Sequence, residues 1–207
     1  MDDQLHKLAA KGELIAYFGY GSLVNPATHR TNSFGYANAR LRGWQRRWTA
    51  RPDEHPEPIA LLTSSPDAPA DAWLSGLLVF DHIDSLASLD AREAGYDRRT
   101  IAPDAIDVEG VIVPDGCPVY AYEGRPPQKP DLEHVILQSY LDAVLQGYAH
   151  RYGAAAVGDF ITTTQRFDMP ILRDRTTPKY PRPVKLSDDE RVLIDDATAA
   201  LNFRDFA

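Results

Sequence analysis

Glu13-Leu14-Ile15-Ala16-Tyr17-Phe18-Gly19-Tyr20-Gly21-Ser22-Leu23-Val24-Asn25-Pro26 carries the decisive pattern, an unbroken apolar run that stops at a glycine-rich turn. The run predicts a buried strand from Glu13 to Gly19, because no polar residue alternates into it. A turn of the kind Gly19-Tyr20-Gly21-Ser22 leaves consecutive backbone N–H groups without strand partners, and Asn25-Pro26 has the pattern of an N-cap followed by proline at the first helical position. The segment is therefore a candidate anion cradle. Taken alone, a glycine turn after a strand is more often only a turn.

Outward from this segment the periodicities alternate. Residues 2–11 predict a short amphipathic helix, and 37–51, 58–64 and 73–81 predict three strands separated by Pro- and Asp-rich turns. Behind a possible Asp81 cap, Ile83, Leu86 and Leu89 recur at helical spacing, so a helix runs out near Gly95 and Glu93 lies at or just past its end. Residues 96–123 read as extended, and Arg125 to Pro130 as a stiff proline-rich connection. The clearest helix is predicted over 131–152, with Leu132, Val135, Ile136, Leu141, Val144, Leu145 and Tyr148 on one face. A further helix is expected near 154–165. After the polar stretch from Asp174 to Pro183, Ser187-Asp188-Asp189-Glu190 fits a capping box that opens a last helix. Strands early and helices late argue an α+β fold rather than a doubly wound sheet.

The bulk composition narrows the function. With 207 residues, 43% of them hydrophobic, the chain can bury one sizeable core, and a single domain over 1–207 is expected. Thirty acidic residues against 22 basic give a net charge of −8 with no long block of either sign, which disfavours nucleic acid and anionic membranes as partners. The acidic start Met1-Asp2-Asp3-Gln4 lacks a signal-peptide pattern, and no apolar run spans a bilayer. The lone Cys117 forms no internal disulfide and suits a reducing compartment, so a cytoplasmic, soluble protein is expected. Set between Gly116 and Pro118, Cys117 reads as a structural thiol. No metal site is expected, since His6, His29, His55, His82, His134 and His150 show no HxH or HExxH spacing. Nor is a nicotinamide cofactor, because Val24 stands where a dinucleotide fingerprint would place its third glycine.

Tyr17-Phe18-Gly19-Tyr20-Gly21-Ser22-Leu23 resembles the YGSL or YGSN signature of the γ-glutamylcyclotransferase superfamily. Leu89-Asp90-Ala91-Arg92-Glu93-Ala94-Gly95-Tyr96 is similar to that family's catalytic-glutamate segment, and Ser139 to Gly147 to its later tyrosine-bearing helix. Three motifs in the family's order are far more specific than one, and with the intervening strands the resemblance covers most of residues 14–165. It implies a small mixed β-barrel flanked by helices, with the C-terminal strap and helix, 166–207, outside the family core.

The resemblance also implies a reaction: the substrate's own α-amine attacks its γ-carbonyl to close 5-oxoproline. Such a reaction needs no Ser or Cys nucleophile but does need a carboxylate to move protons. Glu93 is the candidate acid/base, in place of the solvated ion-pair role that its arginine neighbours would otherwise suggest. Tyr20, Gly21, Ser22 and Leu23 are the candidate substrate-binding turn, and Tyr140 a pocket residue that packing alone would also explain. Arg175 and Arg182, in the strap, are candidates to meet a substrate carboxylate, against the blander reading of a surface strap. Val24-Asn25 and the replacement of the family's Pro-Ser pair by Ile136-Leu137-Gln138-Ser139 depart from the family pattern at positions that bear on the leaving group. Glutathione, γ-glutamyl amino acids and γ-glutamylamines all remain as substrates, and a ligand-binding module without turnover is the competing function.

Overall fold

The structure, a computed structural model, describes residues 2–29, 32–50, 58–126 and 134–205. Contacts gather the chain into two compact units built from interleaved stretches. The first comprises Met1–Tyr20, Arg30–Gln45 and Ser64–Arg125; the second comprises Gly21–His29, Arg46–Thr63 and Pro126–Ala207.

In the first unit the apolar run forms β1 (Leu14–Gly19), and all six of its residues are buried. It is buried because it is flanked on both sides. β5 (Trp73–His82) pairs with it antiparallel, from Leu14 opposite His82 to Gly19 opposite Leu77, and β8 (Val119–Gly124) pairs with it parallel. A strand so enclosed has no solvent face, hence no polar alternation. β2 (Gly35–Arg42) lies beyond β5 and does alternate, turning Ala37, Ala39 and Leu41 inward. β7 (Ile106–Val108) and β6 (Tyr96–Thr100) complete a six-stranded mixed sheet of order β6-β8-β1-β5-β2-β7. Edge strand β6 carries Arg98 and Arg99, paired with Asp90 and Glu123, a charged rim of the kind that discourages further strand addition. α1 (Asp2–Ala10) buries Leu5 and Ala9, one turn apart, and the short α2 (Leu86–Arg92) buries Leu89.

The second unit is organised by α3 (Gln138–Tyr152), on which Leu141, Ala143, Val144, Leu145 and Tyr148 are all buried. Gly153, at φ +85°, turns the chain from α3 into α4 (Ala155–Thr163), a backbone conformation that suits glycine. The unit also holds α5 (Asp188–Thr198) and two three-stranded sheets. One joins β3 (Gln45–Ala50), β4 (Ala60–Ser65) and β10 (Thr164–Gln165); the other joins β9 (Ile136–Leu137), β11 (Ile171–Leu172) and β12 (Phe203–Arg204).

The architecture is thus α+β, as the order of elements implied. The pairings among the described residues run as one open six-stranded sheet and two small sheets, and they do not close into the barrel that the resemblance implied. The expected strand over 37–51 is two strands, broken where Gly43 adopts φ +75°. The expected helix over 131–152 begins only at Gln138, since Ile136 and Leu137 extend to pair with β11, and residues 131–133 lie outside the described residues. Most of the stiff connection expected up to Pro130 lies outside them as well.

Gly76 lies where β5 passes the end of β1: a Cβ there would sit 2.3 Å from the Gly19 carbonyl oxygen and 2.5 Å from Phe18 Cζ. The first of these is backbone and cannot swing aside. Gly76→Ala is expected to destabilise the fold by about 1–3 kcal/mol through overpacking. At about 2–4 °C per kcal/mol for a chain of this size, thermal unfolding should show a clear fall in Tm.

Candidate functional site

The chain passes from the first unit to the second between Tyr20 and Gly21, inside the motif itself. From Gly21 the backbone forms a 3-10 turn over Ser22–Val24, in which the Val24 and Asn25 N–H groups donate to the carbonyls of Gly21 and Ser22 at 3.0 Å each. Thr28 Oγ1 adds a second donor to the Ser22 carbonyl at 2.7 Å. In a planar trans peptide the N–H points opposite to the preceding C=O. Fixing the carbonyls of Gly21 and Ser22 therefore aims the N–H groups of Ser22 and Leu23 the other way. The N–H groups of Gly21, Ser22 and Leu23 meet no acceptor among the described residues, although Ser22 and Leu23 are buried. Three consecutive donors without partners among the described residues give this turn the geometry of a candidate anion cradle.

Tyr140, in the first turn of α3, stands beside this turn. Its hydroxyl lies 2.7 Å from where a Cβ on Gly21 would sit, so glycine is what admits the close approach. Edge-on contacts with Trp48 and Tyr180, at 5.9 and 5.0 Å between ring centroids, hold the ring in place. Arg182 reaches Tyr180 in turn: its Nε donates to the Tyr180 hydroxyl at 3.1 Å and its guanidinium carbon lies 5.1 Å from that ring. No carboxylate pairs with Arg182 among the described residues. Gly21 to Leu23, Tyr140 and, through Tyr180, Arg182 are thus brought together within the second unit.

Arg175 is used differently. Its Nε and Nη2 form a bidentate pair with Asp142 at 2.7 and 2.8 Å, while Nη2 and Nη1 reach Asp195 on α5 at 2.8 and 3.2 Å. The guanidinium that the sequence offered to a substrate carboxylate is occupied by two protein carboxylates. Neighbouring Asp174 is wholly buried and caps α3: its carboxylate accepts from the Ser139 N–H at 2.7 Å, the Ser139 hydroxyl at 2.6 Å and the Lys179 N–H at 2.9 Å. No local signal near Ser139 could reveal a cap that lies 35 residues away.

Glu93 belongs to the first unit, as the C-cap residue of α2, with its N–H donating to the Leu89 carbonyl at 3.0 Å. Arg92 Nε lies 3.1 Å from Glu93 Oε1, and both side chains are mostly buried, at 15% and 17% exposure. A half-hidden carboxylate beside a cation is a different environment from the solvated surface pair that sequence alone would assign. Hydrogen bonds fix the end of α2. Tyr122 donates to Asp90 Oδ1 at 2.6 Å, Arg98 donates to Asp90 Oδ2, and the Tyr20 hydroxyl donates to the Tyr122 carbonyl. Burial, reinforced by the bond to Asp90, pushes the Tyr122 phenol above its usual range and keeps it a donor. Tyr20 is thus linked to the Glu93 segment through Tyr122 and Asp90, a connection the sequence reading missed because nothing local marks Tyr122.

A separate cavity of about 550 Å³ in the first unit is lined by residues from Thr100 to Val119 and holds none of the candidate substrate-binding or acid/base residues. Cys117 borders it, and burial pushes its thiol up to about 12, which leaves it an inert, protonated group at neutral pH. Among the described residues no group of three His, Cys, Asp or Glu side chains could hold a metal ion, and no helix is long and apolar enough to cross a membrane.

No protein-family model and no curated protein sequence matches this chain. Solved structures do. A γ-glutamyl cyclotransferase superposes with a TM-score of 0.51 at 15% identity, over 89% of this chain and 99% of its own. The Bacillus subtilis protein YkqA superposes with a TM-score of 0.52 at 17% identity, over 76% of this chain and 56% of its own. The chain therefore has the fold of γ-glutamyl cyclotransferases, reached at an identity that leaves its activity to be argued from its own residues.

The Arg175 clamp makes a pH-dependent prediction. Burial raises the Asp142 carboxyl above its ordinary value and outweighs the opposing bond from Arg175. A raised folded-state pKa means that ionised Asp142 weighs against the fold once the pH exceeds the unfolded value, and Arg175 offsets that cost. Arg175→Met should lower stability by about 3 kcal/mol near neutral pH, as for a broken buried pair. The difference should narrow as the solution is acidified toward the carboxylate range of about 4, where protonated Asp142 no longer needs the cation. Thermal melts of both proteins across pH check the sign.

Proposed function

We propose that this protein is a γ-glutamylcyclotransferase that converts a γ-glutamyl group to 5-oxoproline and releases the attached amine. The observation that carries the reading is the row of N–H groups at Gly21, Ser22 and Leu23 that meet no acceptor among the described residues, those of Ser22 and Leu23 aimed by the bound carbonyls of their own turn. The α-amine attacks the γ-carbonyl, a five-membered ring closes through the new C–N bond, and the bond to the departing amine breaks. The attacking nitrogen loses two protons on going from ammonium to lactam N–H, and Glu93 relays them in turn to the leaving nitrogen, which departs as an ammonium, so the carboxylate is regenerated each turnover. The cradle N–H groups hold the substrate's α-carboxylate or the oxyanion that develops at the γ-carbonyl; a donor placed for the latter is worth about 3 kcal/mol of barrier. Tyr140 lines the same turn and orients the substrate there. Arg182 is the cation left for a second carboxylate of the substrate, and Arg175 is assigned to the scaffold.

The substrate class is a γ-glutamyl amino acid or peptide such as glutathione, whose leaving group brings a second carboxylate for Arg182; γ-glutamylamines are the alternative, and of these a simple amine brings none while γ-glutamyl-ε-lysine carries one at the far end of the lysine side chain. A ligand-binding module without turnover would keep the cradle but would not need Glu93.

5-Oxoproline release should be measured from glutathione, γ-glutamyl-alanine and γ-glutamyl-ε-lysine with wild type and Glu93→Gln. The variant is expected to fold and bind substrate while kcat falls by about two to four orders of magnitude. Unchanged turnover would remove Glu93 from the mechanism, and no turnover by folded wild type would favour the binding module. Arg182→Ala should raise KM for γ-glutamyl-alanine, with little change in kcat; an unchanged KM would return Arg182 to the strap.

A further inference from the structure

The turn that carries the cradle is held by side chains from the C-terminal part of the chain. Asn25 ends the turn and is 2% exposed. Its Oδ1 accepts from the Ala27 N–H at 3.1 Å, and its Nδ2 donates to the Ala143 carbonyl at 3.0 Å and to Gln146 Oε1 at 2.9 Å. Its backbone N–H is one of the donors that fix the Ser22 carbonyl. α3 comes close enough for these bonds because Gly147 lacks a side chain: a Cβ there would lie 2.8 Å from both the Cβ and the backbone nitrogen of Asn25.

Gln146 can accept from Asn25 only if its amide oxygen faces that way. Its other end decides this, since Nε2 donates to Glu190 Oε2 and to the Lys185 carbonyl, each at 3.1 Å. Turned over, the amide would oppose donor to donor at Asn25 and acceptor to acceptor at Glu190. Glu190 is fixed by the capping box of α5, in which it accepts from the Ser187 N–H at 2.7 Å and Ser187 Oγ accepts from its own N–H at 3.2 Å. His150 contacts its Oε1. Burial pushes the Glu190 carboxyl up, but the bonds from Ser187, Gln146 and His150 outweigh it and hold the group below its usual range. The Arg175 clamp ties α5 to α3 independently, through Asp195 and Asp142.

We infer that Gln146 and Glu190 are positioning residues of the substrate cradle: through Asn25 they set the peptide planes of Gly21 to Leu23, which makes α5 part of the binding machinery. The inference rests on the cyclotransferase reading for its kinetic consequence but not for its geometry. It assigns a role to 166–207, the stretch outside the three motifs. The chain of bonds is polar in one direction throughout, from Asn25 Nδ2 to Gln146 Oε1 and from Gln146 Nε2 to Glu190 Oε2, so losing the far acceptor frees the amide that Asn25 reads.

The test uses the full chain as Gln146→Met, Glu190→Met and Glu190→Gln, with two readouts. The first is the backbone amide resonances of Gly21, Ser22 and Leu23 in ¹H–¹⁵N spectra; the second is KM and kcat for γ-glutamyl-alanine, with Tm followed alongside. Gln146→Met and Glu190→Met should stay folded, shift those resonances and raise KM about tenfold, the effect of one misplaced hydrogen bond. Glu190→Gln keeps an oxygen for both the Ser187 and Gln146 donors and should restore resonances and KM toward wild type. A fall in Tm with the cradle resonances and KM unchanged would overturn the inference, as would Glu190→Gln behaving like Glu190→Met. If wild type turns over no γ-glutamyl substrate, the proposed function fails while the amide resonances still decide the positioning.

Discussion

A strand buried on both sides must pair every N–H and C=O it carries, because water cannot reach them. β1 meets that demand with β5 on one side and β8 on the other, and the demand ends where β1 ends, at Gly19. Beyond it the chain has only its own next few residues to turn to. The 3-10 turn after Gly21 satisfies the carbonyls and leaves the N–H groups, a consequence of i→i+3 bonding, which always orphans the first donors of a helix. The candidate cradle is therefore a by-product of stopping a buried strand abruptly. It is kept in place by the small residues around it. Gly76 lets β5 pass the end of β1, Gly21 admits the Tyr140 hydroxyl, and Gly147 admits Asn25.

In the second unit the polar ties carry more of the specificity than apolar packing does. α3 is buried along most of its length, and burial alone does not fix where a helix starts or how it is rotated. Asp174 fixes the start by capping Ser139, Arg175 fixes α5 through Asp142 and Asp195, and Gln146 connects α5 to the turn. Each tie is a charged or amide group with defined donor and acceptor ends, so each admits one arrangement. A strap that the sequence shows only as a polar, proline-rich passage becomes the element that sets register.

The proposed chemistry asks little of the protein beyond this. An intramolecular attack brings its own nucleophile, so what remains is to orient a flexible glutamyl chain, to receive charge and to move a proton. Backbone donors suit the first two tasks because side-chain variation leaves them in place. A carboxylate at a helix end suits the third, and the proposed acid/base Glu93 lies mostly buried beside the Arg92 guanidinium.

The sequence by itself determined the elements whose signals are local. The apolar run of β1, the helix end at Glu93, the capping box at Ser187 and the glycine turn were all legible, since periodicity, caps and turn chemistry act over a few residues. It also brought the cyclotransferase resemblance, through three motifs in order. What it could not show were relations between distant residues. The start of α3 depends on Asp174, so the sequence reading began the helix too early, across Ile136 and Leu137, which pair instead with β11. The occupation of Arg175 depends on Asp142 and Asp195, which lie 33 and 20 residues away. The open arrangement of the six-stranded sheet depends on which strands find edges. Hydrogen-bond partners at such separations are chosen by the folded geometry, and no composition or spacing encodes them; only the tertiary structure turned an arginine that looked free to bind substrate into a clamp.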